Sequence, residues 1–309
     1  MSQVISDNYW KLVTVGAIGL SLYALRRYCG GKVFNPRGLA NGKTIIITGA
    51  NAGIGKETAY RLAQQRARVI LACRDLDRGE AALQDIRRWT KEGDLVVKQL
   101  DLASFKSIRA FAEEIKRSEP KIDVLINNAA VFGCPFSRTE DGLEMQMGVN
   151  YFGHFLLTNL LTDTLKSSAP SRVVIVSSGL AKNGNVDLNN LMMNKENYKK
   201  NSGYNDSKLA CDYFSRELAN RMEGTGVGVH CMSPGMVRTD LGRHNSFPLW
   251  MKLLIAPFWF LLVKSPYQDL EGETGKFYRN CGEGKWPKDP MDSSIGPRLW
   301  EMSAKIVGL

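Results

Sequence analysis

Tyr204 and Lys208 stand four residues apart in the stretch SGYNDSKLAC, which runs from Ser202 to Cys211. Residues i and i+4 share one face of a helix, so a helix here would bring a phenol and an ammonium to one point. A positive charge beside a phenol favours its ionised form. The pair therefore suits a proton donor and acceptor that works nearer neutral pH than a free tyrosine would. Taken alone, the same spacing also fits an ordinary helix whose tyrosine packs and whose lysine is solvated. The other chemistry-bearing residues of the chain separate the two readings.

A second candidate lies far upstream. TGANAGIGKE, from Thr48 to Glu57, places glycines at Gly49, Gly53 and Gly55 directly after a β-branched run. Such glycines let a backbone turn tightly and approach a phosphate, and a helix that follows would point its free N–H groups and positive end at that anion. A Walker A loop is excluded: the glycine required five residues before Gly55 is Ala50, and Glu57 stands where a Mg²⁺-binding Ser or Thr is needed. The spacing also departs from G-x-G-x-x-G. At the end of the next apolar run, ACRDLD puts Cys73 where an acid would hold a ribose 2′-hydroxyl, with Arg74 beside it. An arginine there accommodates a 2′-phosphate, which favours NADP(H) over NAD, although Asp75 is adjacent.

The elements that must position these residues alternate. Thr44–Thr48, Arg68–Ala72, Leu95–Gln99, Val124–Ile126, Val173–Ser177 and Gly228–Met232 read as short buried strands. Stretches of helical length lie between them, Phe105 to Arg117 and Tyr204 to Met222 among them. This order predicts an α/β fold: a doubly wound, Rossmann-type parallel sheet with helices on both faces. One domain is expected from Gly42 to Leu309, carrying a substrate lobe at about 240–266, behind a membrane anchor and basic linker over 1–41.

The anchor reading comes from Tyr9 to Tyr28. Leu12 to Leu25 is uncharged and aromatic residues flank it. The run is short of the ~20 residues of a full span. Arg26, Arg27 and Tyr28 follow it, where a cleaved signal would carry small residues. An uncleaved signal anchor is expected, with the remainder of the chain on the cytosolic side; an interfacial helix or a mitochondrial address is the alternative. The net charge is +10, and seven Lys or Arg with no acid fall between Asp7 and Glu57. A basic surplus behind an apolar segment suits anionic lipid, and no aromatic-plus-basic nucleic-acid motif accompanies it. The six cysteines form no C-x-x-C pair, so buried free thiols are expected, and the three histidines have no metal-type spacing.

TGANAGIG, NNAA (Asn127 to Ala130), GVN ending at Asn150, VSS ending at Ser178, YNDSK and SPGMVRT (Ser233 to Thr239) occur in this order. As a set they resemble the short-chain dehydrogenase/reductases over roughly Gly42 to Thr239. ACRD, LDLAS, TEDGLEMQMGVNYFGHFLLTNLL and the terminal LWEMSAKIVGL resemble the retinol dehydrogenase branch. The resemblance implies Tyr204 as general acid toward a carbonyl oxygen and Lys208 as its activator and ribose clamp. It implies Ser178 as a hydrogen-bond donor to the substrate oxygen, and Asn150 as the holder of a water that relays protons to Lys208. The cofactor contacts it implies are Gly49, Asn51, Gly53, Ile54 and Gly55 in the loop, Arg74, then Asp101 and Leu102 beside the adenine. Asn128 and Ala129 would line the cofactor, and Pro234, Gly235, Val237 and Thr239 would hold the nicotinamide carboxamide. No metal is expected.

Two departures stand out. Ala130 replaces the last glycine of the N-N-A-G pattern, which one methyl group permits if φ is negative there. After Lys264–Gln268, DLEGETG leads almost directly to Lys276–Tyr278, so the helix that relatives carry before the last strand is expected to be missing and that strand to pair imperfectly. Phe247 to Val263 is apolar except for Lys252 and is interrupted by Pro257, which fits a buried helix pair or an apolar wall for a lipid substrate. The expectation is an NADP(H)-dependent oxidoreductase of the endoplasmic reticulum membrane, interconverting retinol and retinal or a similar lipid alcohol and aldehyde. Reduction is the favoured direction, and an oligomer is compatible. The alternatives are a steroid or other lipid carbonyl reductase, and a membrane-bound cofactor-binding protein with little catalysis.

Overall fold

The computed structural model describes residues 39–192, 195–198, 200–234, 274–279, 283–288 and 291–309, with a few positions between Val13 and Tyr23. The chain order is β1 (Thr44–Thr48), α1 (Gly53–Gln64), β2 (Arg68–Cys73), α2 (Leu76–Trp89), β3 (Asp94–Gln99), α3 (Phe105–Ser118) and β4 (Val124–Asn127). After a π-helical turn at Gly148–Phe152 come α4 (Gly153–Ser167), β5 (Ser171–Val176), α5 (Lys200–Arg221), β6 (Val227–Ser233), β7 (Lys276–Arg279) and α6 (Ile295–Val307). The seven strands form one parallel sheet in the order β3-β2-β1-β4-β5-β6-β7. This is the expected α/β, Rossmann-like arrangement.

β1 explains why the sheet is covered on both faces. All five of its residues are buried. Ile45 and Ile47 belong to a buried cluster that includes Ala59 and Ala63 of α1 and Ile86 of α2, while Ile46 belongs to the larger cluster that includes Phe111 of α3, Phe155 of α4 and Phe214 of α5. Burying one such isoleucine stabilises by about 1.5–3 kcal/mol, and a strand with two apolar faces needs helices on each.

Order around β1 also places the site. β1 leads out to β2 on one side and has β4 on the other, so the chain reverses its direction of travel across the sheet between β1 and β4. The carboxyl ends of strands at such a reversal leave an open crevice.

Two expectations change. The last strand does not pair imperfectly: His230, Cys231, Met232 and Ser233 pair in unbroken parallel register with Lys276, Phe277, Tyr278 and Arg279. The reason is length, since Pro234 to Gly275 exceeds the dozen or so residues that a parallel crossover requires. The helix around Tyr204 also begins earlier, at Lys200, so Tyr204 and Lys208 sit inside it, not at its start. No helix among the described residues is long and apolar enough to cross a membrane. The run Phe247 to Val263, the junction at Gln268 and Asp269, and half of the apolar stretch Leu12 to Leu25 lie outside the described residues.

Candidate active site

An open cleft of about 280 Å³ runs along the carboxyl edge of the sheet, from residues that follow β3 to Pro234 after β6. Its first wall is the turn after β1. Thr48 ends the strand, Gly49 takes φ +67°, and a Cβ there would meet the Ala129 Cα at 2.9 Å. Gly55 lies beneath the turn: a Cβ would come within 2.5 Å of the Gly49 carbonyl and 2.6 Å of Asn128 Nδ2. It therefore packs the loop against β4 and does not itself line the cleft. Ala52 caps α1 without a side-chain hydrogen bond, so the first N–H groups of that helix remain available to an anion.

Thr48 ties this turn to the next strand. Its Oγ1 accepts from the backbone N–H groups of Asn128 and Ala129, each at 2.9 Å, and Asn128 Nδ2 donates to the Thr48 carbonyl at 2.8 Å. Arg66 is the one non-glycine residue at positive φ among the described residues, so Ala130 has negative φ and its extra methyl group is accommodated.

The catalytic candidates come from β5 and α5. Lys208 is almost wholly buried, and its Nζ donates to the Val176 carbonyl at 2.7 Å. That bond carries the ammonium across from the helix to the end of β5, 5.8 Å from the centre of the Tyr204 ring. Tyr204 is buried and meets Phe132 edge to face, with ring centroids 4.6 Å apart. Ser178 caps a short 3-10 turn, accepting from Leu180 N at 3.2 Å, and its half-buried side chain shares the cleft wall with Tyr204 and Lys208.

Most predicted site residues meet here. Gly49, Asn51, Gly53 and Ile54 of the turn, Arg74 after β2, and Asp101 and Leu102 after β3 line the cleft. So do Asn128, Ala129, Ser178, Tyr204, Lys208 and Pro234. Asn150 is set back from the wall: Oδ1 accepts from Val131 N at 2.8 Å, and Nδ2 donates to the Val131 carbonyl and to Ser207 Oγ, each at 3.0 Å. The Asn150 carbonyl already takes His154 Nδ1 at 3.0 Å and the Cys211 thiol at 3.3 Å. Asn150 thus braces the β4 exit against α5. Gly235, Val237 and Thr239 lie outside the described residues.

Sequence reasoning missed Arg78, which enters the cleft beside Arg74. Their spacing, one turn apart across the start of α2, was the signal available for it. It also missed His154, whose Nε2 lies 2.9 Å from Thr48 Oγ1. Burial holds this imidazole down at about 4, opposed in smaller part by its bond to Asn150, with the Lys208 charge adding to the depression.

The residues present fit a nicotinamide dinucleotide. Two positions where a Cβ would collide with the loop backbone or its neighbours make the turn close enough for a pyrophosphate. From β2, with its arginines, to β5, reached by Lys208, is three strand spacings, about 14 Å, which suits a ligand with two nucleotide ends. Cys73 is buried, and its thiol is pushed up to about 11 by that burial, so it places no negative charge beneath the loop.

The chain is a member of the short-chain dehydrogenase family, whose sequence profile matches residues 43–247. It is an oxidoreductase of the retinol dehydrogenase-like kind. It is 44% identical to human (Homo sapiens) retinol dehydrogenase 14, over 96% of this chain and 97% of that protein. It is 42% identical to mouse (Mus musculus) retinol dehydrogenase 13, over 96% and 92%. An uncharacterized protein from Mycobacterium Paratuberculosis has a similar crystal structure (TM-score 0.66, 32% identity, 87% of this chain and 94% of that one). The fold is also that of a short chain dehydrogenase from Escherichia coli complexed with NADPH (TM-score 0.59, 23% identity, 80% and 99%). Members of this family use NAD or NADP.

Proposed function

We propose that this chain is an NADP(H)-dependent oxidoreductase that interconverts retinol and retinal, or a similar lipid alcohol and aldehyde, with reduction favoured. One observation carries the reading: the crevice at the strand-order reversal puts Tyr204, Lys208 and Ser178 on the same wall as the glycine turn. The bound dinucleotide would supply the hydride for reduction or take it up in oxidation. Tyr204 gives its phenolic proton to the carbonyl oxygen as that oxygen gains negative charge, and takes it back when an alcohol is oxidised. Lys208, fixed on the Val176 carbonyl, keeps a positive charge near the phenol and favours its ionised form after transfer. Ser178 holds the substrate oxygen. Asn150 keeps the Val131 and Ser207 segments in register around Lys208; its relay of protons through water would use the second lone pair of Oδ1.

Arg74 and Arg78 would bind the 2′-phosphate, and a neutral thiol at Cys73 supports the same preference, because a carboxylate at that strand end would repel it. The retinoid substrate is supported by the 44% and 42% identity to retinol dehydrogenases. The N-terminal apolar run would anchor the chain in the endoplasmic reticulum membrane with the catalytic domain facing the cytosol; a mitochondrial membrane is the other address. The test is NADPH oxidation by full-length protein in detergent, with retinal, a short lipid aldehyde and a steroid ketone in parallel. Turnover of the steroid alone would replace the retinoid reading with a steroid carbonyl reductase. Cofactor binding with no turnover of any of them would leave a binding protein. Removing Met1 to Arg27 and separating membranes at high salt tests the anchor, and truncated protein that still pellets would refute it.

A further inference from the structure

We infer that Asp212 is a positioning residue of the acid–base pair: its carboxyl, one helical turn beyond Lys208 and sealed beneath it, sets how strongly the Lys208 ammonium acts on Tyr204. The inference rests on the roles proposed above for Tyr204 and Lys208.

Asp212 has no solvent exposure, as β5 and β6 cover that face of α5. Oδ1 accepts the Cys231 thiol of β6 at 3.4 Å, and Oδ2 has no hydrogen-bond partner. The Ser177 hydroxyl faces the same carboxyl and opposes its shift, but its formed bond goes to the Lys208 carbonyl at 3.3 Å. The titratable groups facing Asp212 are Lys208, Cys211 and Tyr213 on its own helix and Cys231 on β6; His154 of α4 faces Lys208 in turn. Lys208 is the cation among them. Burial, the largest influence, pushes Asp212 up to about 7, against weaker opposition from Ser177, Cys231 and Lys208. The carboxyl therefore changes charge near neutrality. Protonated, it leaves the Lys208 field on Tyr204 whole. Ionised, it offsets part of that field and holds the phenol in its protonated, donating form to higher pH.

The test is the pH dependence of aldehyde reduction by the full-length enzyme, for the wild type, Asp212→Asn and Asp212→Ala. Tyr204 and Asp212 are eight residues, so about 12 Å, apart along the helix axis. At an effective dielectric of roughly 20, one charge at that distance is worth about one pH unit. Both variants should move the alkaline limb of the profile downward by about that amount. Asp212→Asn keeps the shape of the side chain, and the infrared band of the wild type keeps the inference testable if Asp212→Ala fails to fold. In cofactor-free protein, infrared spectra should show a carboxylic acid carbonyl band that titrates near neutrality and is absent from both variants. An active wild type whose alkaline limb is unmoved in the variants, or a wild type without that band, overturns the inference alone. A wild type with no turnover overturns the functional reading, and this inference with it.

Discussion

The Thr48 hydroxyl sits 2.9 Å from His154 Nε2 while accepting the Asn128 and Ala129 N–H groups. With two donors already on its oxygen, Thr48 gives its own proton to Nε2, which leaves the imidazole proton on Nδ1 for the Asn150 carbonyl. A single line of bonds thus joins the glycine turn to the π-helical turn that carries Asn150. Thr48→Val keeps the shape and removes the oxygen, stranding two backbone donors and a ring nitrogen. Each buried group left unpaired costs about 1–3 kcal/mol. The variant should lose at least ~2 kcal/mol in denaturant unfolding and bind dinucleotide more weakly, whereas Thr48→Ser should behave like the wild type.

His154 and Asp212 give the fold opposing responses to pH. Burial holds His154 at about 4, below its ordinary 6.5, so its contribution to stability is full above about pH 6.5 and is lost as pH falls toward 4. Asp212 is raised from 3.8 to about 7, so its contribution is full below about pH 4 and is lost as pH rises toward 7. In the wild type the two slopes partly cancel across this window. Asp212→Asn should expose the histidine slope, with stability rising from pH 4 to 6.5. Relative to the wild type, it should gain up to a few kcal/mol above pH 7. Chemical denaturation at several pH values reads both; parallel wild-type and variant curves would refute the assignment.

Tyr204→Phe removes only the phenolic oxygen from a ring fixed by Phe132. Dinucleotide affinity should stay within a few-fold of the wild type while turnover falls by the 10²- to 10⁴-fold typical of a lost acid–base group. Lys208→Ala should reduce both, because Lys208 also spans from α5 to the Val176 carbonyl. Steady-state rates and fluorescence titration of NADPH separate the two outcomes, and near-wild-type turnover in the phenylalanine variant would remove Tyr204 from the mechanism.

How legible this was in the sequence depends on the range of each interaction. The β-branched run at Thr44–Thr48 reads as a buried strand because both faces of β1 are covered, and the spacing of Tyr204 and Lys208 is local to one helix. The glycine turn was legible for the same reason, since positive φ at Gly49 and close packing at Gly55 are demands on single residues. The His154–Thr48 contact joins residues 106 positions apart, and no local pattern announces it. Asp212 likewise reads as an ordinary helix residue until β5 and β6 are laid over it. The pairing of β7 was misjudged because the length of the connection, Pro234 to Gly275, decides whether a parallel crossover can close, and that length is ample.

Arg74 and Arg78 offer the sharpest test of cofactor choice. Both side chains are exposed and line the cleft at the start of α2, where the Asp75 side chain is occupied as helix cap, accepting from Arg78 N at 3.1 Å. That capping bond removes the ambiguity the adjacent acid created, because Asp75 is turned to the helix backbone. A charge-assisted hydrogen bond contributes about 1.5–3 kcal/mol, roughly a 10- to 150-fold change in affinity. Arg74→Ala should weaken NADPH by about that factor and leave NADH nearly unchanged, since NADH has no 2′-phosphate. Arg78→Ala should act in the same direction, and the double variant should lose most of the preference for NADPH. Calorimetric titration of both dinucleotides against each variant reads this directly. Equal losses for NADH and NADPH would mean that the arginines serve the loop and not the phosphate.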